Sequence, residues 1–461
     1  MGLLNLLRVY RLYRRELLPR MRWSRAQVLA YQQQALRRLL AHTAQHSEFY
    51  RRHWKGLDPA TAPLETFPPV DKQLLTENFD AVVTDRRVTR EQLHRHVFGP
   101  DADQLFLGRY RAYLTTGHSG FRTLMLYSPE EMRWCYAVAG RLFDLAGVRL
   151  RKFPLRLASL RGRTVAHVGS ETKRAAMFGF RPLDVLTTQP VADMVGTLNR
   201  FQPHVVKALS LVLGDMAREQ LAGRLRIAPL ALISSGHKLL PEVSALVKQA
   251  WGAPLIDLYG MTEGATASTC ACGQLAVYDD FCIIEVVDRQ GRSFPPGTPG
   301  QRILVTNLVA KTFPLIRYSV EDVLVLESGA PRCGSPFTHL RSVEGRDDEV
   351  LYFPAADGRV QPVFPGFFNT TVGMMPPVRQ FEAVQRIDGL TITLVPEPGA
   401  DPAAVAEAAL NLLAGAFRER GLLVPAIRTV VVDTIPPAPG GSHKVARTRR
   451  EVPPPGDARN G

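Results

Sequence analysis

The chain has 461 residues, of which 45% are hydrophobic and 22% are charged, and its formal net charge is +14. This composition is ordinary for a globular protein, which excludes a chain that is disordered throughout, and no apolar run reaches the roughly 18–20 residues that span a bilayer. Five cysteines are too few for a disulfide framework, and their odd number suits a reducing compartment. Arginines interrupt the apolar stretch from Arg8 onward, so we predict no secretory signal and expect a cytoplasmic protein.

The positive charge is concentrated in residues 1–56, which hold twelve arginine or lysine residues and two acidic residues. Leucines and a tyrosine recur there at near-helical spacing, which predicts a basic, amphipathic helical segment. One interpretation is a helical cap on a larger domain, with the arginines in solvent. The other is peripheral contact with an anionic membrane or with nucleic acid. No nucleic-acid motif of fixed spacing is present, so nucleic acid is not an expected partner.

After a proline-rich connection at 58–69, the chain alternates β-rich runs with helical stretches up to about residue 345. The β-rich runs are residues 164–168, 205–209, 231–234, 254–258, 283–287 and 302–306, and helices are predicted at 193–201 and 241–251. This alternation is typical of an α/β domain with a substantial parallel sheet. Beyond it, a strand at 390–395, a helix at 401–420 and a strand at 426–432 predict a small α+β domain.

The predicted organisation is therefore a large α/β domain over residues 1–345, with the basic helical segment 1–56 at its start. A small α+β domain follows over residues 346–450. Residues 451–461 are rich in proline and polar residues and are predicted to be a disordered tail.

Two motifs in the large domain contain side chains that could bind phosphate groups or a metal ion. Thr115–Gly120 is a hydroxyl- and glycine-rich loop that could present N–H groups to phosphate oxygens, although such loops are also ordinary turns. Tyr259–Glu263 (Tyr-Gly-Met-Thr-Glu) follows an apolar run and offers an aromatic ring, a hydroxyl group and a carboxylate suited to Mg²⁺. The alternative for the second motif is a strand-to-helix turn capped by Thr262.

Three later motifs continue the pattern. Asp322, at the end of the segment Leu315–Asp322, could accept two hydrogen bonds from a sugar diol, or it could be a plain surface acid. Gly345–Asp348 (Gly-Arg-Asp-Asp) is a charged cluster at the predicted boundary between the large α/β domain and the small α+β domain. Gly441–Val445 presents Lys444 in a loop of small residues, with an exposed basic tail as the alternative.

In this order and spacing, the five motifs resemble those of the adenylate-forming superfamily. The local pattern is most similar to the phenylacetate–coenzyme A ligase-like branch of that superfamily. The similarity to this branch is based on Leu39–Tyr50, on Ala231–Leu239 before the Tyr-Gly-Met-Thr-Glu motif, and on Gly345–Val350 followed by Asp357–Arg359. The resemblance covers residues 30–450 and implies a large α/β domain followed by a small, mobile α+β domain.

The resemblance implies ATP, Mg²⁺ and coenzyme A as cofactors and a carboxylic acid as substrate. The carboxylate would attack the α-phosphorus of ATP to give an acyl-adenylate and pyrophosphate, and a thiol would then release AMP. By similarity, the phosphates of ATP would be bound by Thr115, Thr116, Gly117, His118, Ser119 and Gly120, and the adenine pocket would be lined by Ser235, Gly236, Tyr259 and Gly260. Thr262 would contact the α-phosphate, Glu263 would hold Mg²⁺, and the ribose would be held by Asp322 with Arg346. Asp347 or Asp348 would be the hinge between the domains, and Lys444 would act in the first step.

Some positions depart from the family pattern. Phe121 stands where relatives usually carry a lysine, and the neighbouring Arg122 is not an equivalent group. His118 is also unusual in such a loop. Besides an AMP-forming acid–CoA ligase, the sequence therefore leaves open an adenylation enzyme that loads a carrier-protein phosphopantetheine or an amine, and a catalytically degenerate nucleotide-binding protein. Aryl acids are the family's expectation for the substrate, and the oligomeric state is open, with a dimer compatible.

Three cysteines fall in two regions where some members of this branch bind zinc. Cys270 and Cys272 follow the Tyr-Gly-Met-Thr-Glu motif, and Cys333 precedes Gly-Arg-Asp-Asp, so three thiolates could ligate zinc. Ala276 stands where relatives carry a histidine, so a fourth ligand would have to be Cys282 or His339. Free or buried thiols are the alternative, which the missing histidine favours.

Overall fold

The structure is a computed structural model. It describes residues 3–114, 123–150, 154–161, 179–187, 189–236, 238–264, 266–346, 349–356, 358–363, 365–373, 375, 377–436 and 446–452. The chain divides into two compact units, the first made of Met1–Val320 and Val325–Ser342 and the second of Glu321–Leu324 and Val343–Gly461. No described helix is both long and apolar enough to cross a membrane.

The helices are α1 (Leu3–Leu12), α2 (Leu18–Arg20), α3 (Arg25–His46), α4 (Glu48–His53), α5 (Lys72–Glu77), α6 (Phe79–Val82), α7 (Arg90–Val97), α8 (Pro129–Leu145), α9 (Val191–Phe201), α10 (Ser210–Leu221), α11 (Pro241–Trp251), α12 (Pro365–Thr371) and α13 (Pro402–Glu419), with a π-helical turn at Tyr13–Leu17 and a 3₁₀ turn at Leu64–Thr66. The strands are β1 (Arg111–Leu114), β2 (Leu124–Tyr127), β3 (Leu155–Arg161), β4 (Phe180–Leu186), β5 (Val205–Leu209), β6 (Ala231–Ser235), β7 (Leu255–Gly260), β8 (Thr266–Thr269), β9 (Leu275–Val277), β10 (Cys282–Val287), β11 (Arg302–Asn307), β12 (Tyr318–Val320), β13 (Asp322–Leu326), β14 (His339–Arg346), β15 (Leu351–Pro354), β16 (Val360–Val363), β17 (Val378–Arg386), β18 (Gly389–Pro396), β19 (Ile427–Val431) and β20 (Ala446–Arg450).

The predicted helical character of residues 1–56 is confirmed by α1–α4. Ser24 begins α3 through a capping box, in which its hydroxyl accepts from the Gln27 N–H and the Gln27 side chain accepts from the Ser24 N–H. Leu36, Leu39 and Leu40 are fully buried in a core shared with α4–α7 and with residues 308–318. The apolar stripe of α3 therefore anchors this segment to the first unit.

A nine-stranded sheet has the order β13-β14-β9-β8-β7-β6-β5-β3-β4. Its strands from β9 to β4 form the central sheet of the first unit, whereas β13 and β14 each have residues in both units. The strands β4, β3, β5, β6 and β7 are parallel, whereas β7, β8, β9 and β14 pair antiparallel. Buried apolar residues of β5 and β6 pack with α9, α10 and α11, as expected for parallel strands covered by helices. The predicted α/β class with a parallel sheet is confirmed, while the predicted run at 164–168 lies outside the described residues.

A smaller antiparallel sheet, β10-β11-β12, also belongs to the first unit. Arg317, just before β12, adopts a positive φ of 51°. Its guanidinium pairs with Glu285 at 3.0 Å and donates to the carbonyl oxygens of Glu65 and Phe67 at 2.8 and 2.7 Å. Arg317 therefore serves a structural role, since these contacts fix the strained backbone at the start of the Leu315–Asp322 motif.

The second unit contains the four-stranded sheet β19-β18-β17-β20, the hairpin β15–β16 and the helices α12 and α13. Asp401 caps α13 by accepting from the Ala403 N–H. One face of α13 packs on the sheet, where Leu413 and Phe417 are buried with Phe381 and Ile392. The predicted strands at 390–395 and 426–432 and the predicted helix at 401–420 are confirmed by β18, β19 and α13.

Candidate functional site

Two predicted nucleotide-binding segments come together at one edge of the parallel sheet. β6 ends at Ser235 and β7 ends at Gly260, and these two strands are direct neighbours in parallel register. Because the carboxyl ends of adjacent parallel strands meet at the same edge, Ser235 and Gly236 lie beside Tyr259 and Gly260. Gly236 has a φ of +81°, and a Cβ there would approach Leu209 Cδ2 to 2.8 Å, so this turn needs glycine.

The turn that carries Thr262 and Glu263 is fixed through its backbone. The Tyr127 hydroxyl donates to the Thr262 carbonyl at 2.6 Å, and Asn307 Nδ2 donates to the Glu263 carbonyl at 3.1 Å. Gly264 has a φ of +99°, and a Cβ at this position would collide with the Asn307 amide. The predicted α-phosphate and Mg²⁺ residues therefore sit on a rigid turn, which suits positioning.

Tyr127 and Asn307 are positioning residues that the sequence analysis missed. Burial raises the pKa of the Tyr127 hydroxyl well above its ordinary value, so this group stays protonated and remains a donor. Asn307 Oδ1 also accepts from the N–H groups of Val309 and Ala310 at 3.1 and 3.2 Å, so its amide joins two turns. Neither residue lies near the Tyr-Gly-Met-Thr-Glu motif in sequence, and no local pattern marks them.

Within the second unit, Arg346 lies next to Asp322. Arg346 is the last residue of β14, and its Nη1 is 3.8 Å from Asp322 Oδ1, while its Nη2 pairs with Glu321. Only 24% of the Arg346 side chain and 17% of the Asp322 side chain are exposed. The two residues expected to hold the ribose are therefore neighbours.

Several predicted residues lie outside the described residues, and their placement stays a prediction. These are Thr115, Thr116, Gly117, His118, Ser119, Gly120, Phe121, Arg122, Asp347, Asp348 and Lys444.

The three cysteines singled out from the sequence meet in the first unit. The Sγ–Sγ distances are 3.3 Å between Cys270 and Cys272, 3.2 Å between Cys272 and Cys333, and 3.6 Å between Cys333 and Cys270. A potential ligand atom of His339 lies within 4.8 Å of the Cys270 and Cys333 sulfurs. The chain thus brings three thiols and one imidazole together.

His339 is the candidate fourth ligand, because it stands on β14 directly opposite Ala276 on β9. Its Nδ1 is 2.8 Å from the Phe337 carbonyl, so we infer that Nδ1–H donates there. Its Nε2 is buried without a hydrogen-bond partner among the described residues, which leaves a lone pair available to a metal. Cys282, the other candidate, instead directs its thiol to the Tyr278 carbonyl at 3.7 Å.

This donor set fits zinc. A tetrahedral site with Zn–S bonds of about 2.3 Å has sulfurs about 3.8 Å apart, close to the separations of these thiols. Structural zinc also prefers this kind of ligand set, in which three cysteine thiolates and one neutral imidazole bind the ion. A histidine ligand usually donates its other ring N–H to a carbonyl or carboxylate oxygen, as His339 does here.

A half-buried lysine, Lys207, was not predicted because it sits inside the apolar run of β5. In register, Ser159 on β3 lies between Lys207 on β5 and Asp184 on β4. Burial lowers the pKa of Lys207, and the Asp184 charge offsets part of that effect. Asp184 also pairs with Arg161, the last residue of β3, at 2.9 Å. The sheet therefore carries a polar row close to its carboxyl edge.

Asp257 makes the free energy of unfolding of the first unit depend on pH. It lies on β7 beside Ser234, and burial raises its pKa from 3.8 to about 6. The folded state therefore holds this proton more tightly than the unfolded state, so the free energy of unfolding falls as the pH rises from about 4 to about 6. We expect Asp257→Asn to remove this fall and to be at least as stable as the wild type at neutral pH.

Urea denaturation at a series of pH values measures this effect. Asp388→Asn is the matched control, because it makes the same replacement at an exposed aspartate. A wild-type slope retained in Asp257→Asn would refute the assignment.

The chain was also compared with known proteins. No protein-family model matches it. Phenylacetate-coenzyme A ligase of Thermus thermophilus is 22% identical over an alignment of 344 residues that covers 71% of this chain and 72% of that protein. Fumarate–(S)-2,3-diaminopropanoate ligase of Enterobacter agglomerans is 26% identical over an alignment of 252 residues that covers 51% of this chain and 59% of that protein.

A solved structure extends the likeness to both units. 2-Hydroxyisobutyryl-CoA ligase, in the postadenylation state in complex with 2-HIB-AMP, superposes with a TM-score of 0.67 at 18% identity and covers 90% of this chain and 87% of that chain. Similarity at this identity shows a common fold. Together with the sequence relatives, it confirms the resemblance of this chain to the phenylacetate–coenzyme A ligase-like branch of the adenylate-forming superfamily.

Proposed function

We propose that this protein activates a carboxylic acid with ATP as an acyl-adenylate and transfers the acyl group to the thiol of coenzyme A. The observation that carries the proposal is the Tyr-Gly-Met-Thr-Glu turn at the carboxyl edge of the parallel sheet, where hydrogen bonds from Tyr127 and Asn307 fix its backbone. The sequence similarity to a phenylacetate–coenzyme A ligase and the fold shared with another CoA ligase support it. The expected cytoplasmic location remains a prediction.

The chemical difficulty is that an anionic carboxylate must approach the polyanionic ATP. In this proposal, Glu263 would hold Mg²⁺, which would offset part of the negative charge of the phosphates. Thr262 would donate to the α-phosphate from its fixed turn, and Lys444 would offset the charge that develops as the carboxylate attacks. Since the protein forms no covalent bond to the substrate in this scheme, positioning provides most of the rate enhancement.

The remaining predicted contacts concern the nucleoside and the domain movement. Asp322 would accept hydrogen bonds from the ribose hydroxyls, with Arg346 holding its carboxylate in place. Asp347 or Asp348 would form a hinge for the small second unit, which presents Lys444 in the first step and makes room for the thiol in the second. The mobility of that unit is part of the proposal.

We also propose that Cys270, Cys272, Cys333 and His339 hold a structural zinc ion. Four protein ligands close the coordination sphere and leave no position for water or substrate, so the ion would stabilise rather than catalyse. It would tie the turn after β8, which supplies Cys270 and Cys272, to the start of β14 and the segment before it, which supply His339 and Cys333.

ATP–pyrophosphate exchange against a panel of acids tests the activity. The panel includes aryl, fatty and amino acids, and also hydroxy and dicarboxylic acids because of the polar row at Lys207, Ser159 and Asp184. We expect exchange with at least one acid. Lys444→Ala should lower that exchange by at least about tenfold, because it removes a charge used in the transition state, while ATP binding measured by calorimetry stays nearly unchanged.

Lys248→Ala is the matched control, because Lys248 is an exposed lysine of α11 and should leave exchange intact. Full exchange in Lys444→Ala would remove this lysine from the mechanism. ATP binding without exchange for any acid would instead favour the degenerate nucleotide-binding protein, with Phe121 as the suspected cause. Release of AMP on addition of coenzyme A, a carrier-protein phosphopantetheine or an amine then identifies the acceptor.

A further inference from the structure

The helical stretch over residues 3–20 is fastened to α8 by one of its faces. Val9 and Leu17 are buried. The Tyr13 ring lies against Gly140 of α8, where a Cβ would be 3.5 Å from Tyr13 Cδ2, and the Tyr13 hydroxyl bonds to the Asp144 carboxylate. These contacts hold the helix on the first unit, so the orientation of its outer face is fixed.

The outer face combines positive charge with apolar groups. Leu7 and Tyr10 are 57% and 60% exposed. Four exposed arginines stand among them at helical spacing, and we call these six residues the basic face: Leu7, Arg8, Tyr10, Arg11, Arg14 and Arg15.

The charge of the basic face is not neutralised within the described residues. None of its four arginines makes an ion pair there. The nearest acid along the helix, Glu16, is engaged by Arg20 at 2.9 Å, and Asp144 of α8 is engaged by the Tyr13 hydroxyl. Arg20 itself is buried against the aromatic ring of Tyr31. The unpaired guanidinium groups therefore point to an anionic partner outside this part of the chain.

An anionic lipid surface is the partner that uses every group of the basic face. Arginines at a membrane surface bind lipid phosphates, while aliphatic and aromatic side chains enter the boundary between headgroups and acyl chains. A nucleic acid would engage the arginines but leave the exposed leucine without a favourable contact. We propose that the basic face docks this protein on anionic bilayers, with Leu7 and Tyr10 at headgroup depth.

Such docking is reversible and sensitive to salt. Only two apolar side chains enter the interface, and the attraction between exposed charges falls as ionic strength rises. This proposal does not depend on the ligase activity, because the basic face contains no residue of the candidate site.

The test is co-sedimentation of the full chain with vesicles. Vesicles of equal parts phosphatidylglycerol and phosphatidylcholine are compared with pure phosphatidylcholine, at low and at high salt. We expect binding only to the anionic vesicles at low salt. Replacing the four arginines of the basic face with glutamine should weaken this binding by at least about 100-fold, since each contributes about 1 kcal/mol near an anionic surface.

A matched variant changes the net charge equally at another place. It replaces four exposed arginines with glutamine: Arg38, Arg51, Arg90 and Arg109. This control should retain most of the vesicle binding, and equal loss in both variants would overturn the proposal because it would mean a general effect of net charge. Absence of any binding to the anionic vesicles would overturn it as well.

A second variant separates lipid from nucleic acid at constant charge. Leu7→Ser combined with Tyr10→Ser should weaken vesicle binding by about tenfold, because it removes the apolar groups that enter the interface. If this variant binds vesicles as well as the wild type, and the wild type binds single-stranded RNA through the same four arginines, the partner is a nucleic acid and the proposal is wrong. Circular dichroism confirms that all variants are folded.

Discussion

Arg141→Ala is expected to lower the free energy of unfolding of the first unit by about 3–5 kcal/mol. Arg141 on α8 donates to both carboxylate oxygens of Asp280 at 2.7 Å, and both side chains are fully buried. Its guanidinium also lies 5.1 Å from the ring centres of Tyr278 and Phe337. Removing it leaves a buried carboxylate that has lost its bidentate partner.

The second guanidinium near Asp280 cannot replace the first. Arg20 lies 3.4 Å from Asp280 and is shared with Glu16. Burial alone would raise the pKa of the Asp280 carboxyl, but the charges of Arg141 and Arg20 outweigh it and hold that pKa below its ordinary value. In Arg141→Ala, most of this compensation disappears while the burial remains.

Urea denaturation with a single probe for each unit measures the loss. Arg218→Ala is the matched control, because Arg218 pairs with Asp215 at 2.8 Å with about half of each side chain exposed. That exposed pair should contribute no more than about 1 kcal/mol. The double variant Arg141→Met with Asp280→Leu should recover most of the stability, because two apolar side chains need no partner. Equal losses for Arg141→Ala and Arg218→Ala would contradict the assignment.

Zinc content is the second prediction with a large expected effect. Protein purified without chelators should hold one zinc ion per chain, measured by elemental analysis. His339→Ala should lower the zinc affinity by at least about 100-fold, because losing a ligand costs more than losing a partner of a ligand. Prolonged treatment of the wild type with a strong chelator should lower its melting temperature, since the ion contributes folding free energy.

Cys282→Ser is the control for this prediction. Cys282 is a buried cysteine of the same unit, but its thiol contacts the Tyr278 carbonyl rather than the other sulfurs. Its replacement should leave the zinc content at one per chain. Wild-type protein that remains free of zinc after zinc supplementation, with Cys272 and Cys333 open to thiol reagents, would establish free thiols instead.

Loss of the zinc ion, of Lys444 or of the basic face should each have a different effect on stability and on exchange activity. Loss of zinc should change stability before it changes exchange activity, because the closed ligand set offers no position to a substrate. Loss of Lys444 should change exchange and leave stability intact. Loss of the basic face should change neither property in solution.

Local patterns in the sequence were enough to predict the class of the fold and many of its elements. Apolar runs bounded by turn residues predicted β5, and helical periodicity predicted α11 and α13, because both signals depend only on residues close together in the chain. The Tyr-Gly-Met-Thr-Glu motif could be placed at the end of a strand for the same reason. The order and spacing of such motifs also carried the family resemblance, which the sequence relatives and the shared fold confirm.

Contacts between distant segments were decided only by the tertiary structure. The sequence left Cys282 and His339 as alternatives for a fourth zinc ligand. The pairing of β14 with β9 favours His339 because it sets this residue opposite Ala276, and strand register cannot be read from either segment alone. The clamp of Tyr127 and Asn307 on the turn at Thr262–Gly264 and the buried pair of Arg141 with Asp280 likewise join remote parts of the chain. The sequence by itself thus determined which local elements and motifs this protein has, whereas packing determined which of their side chains meet, because hydrophobic periodicity is local and burial is not.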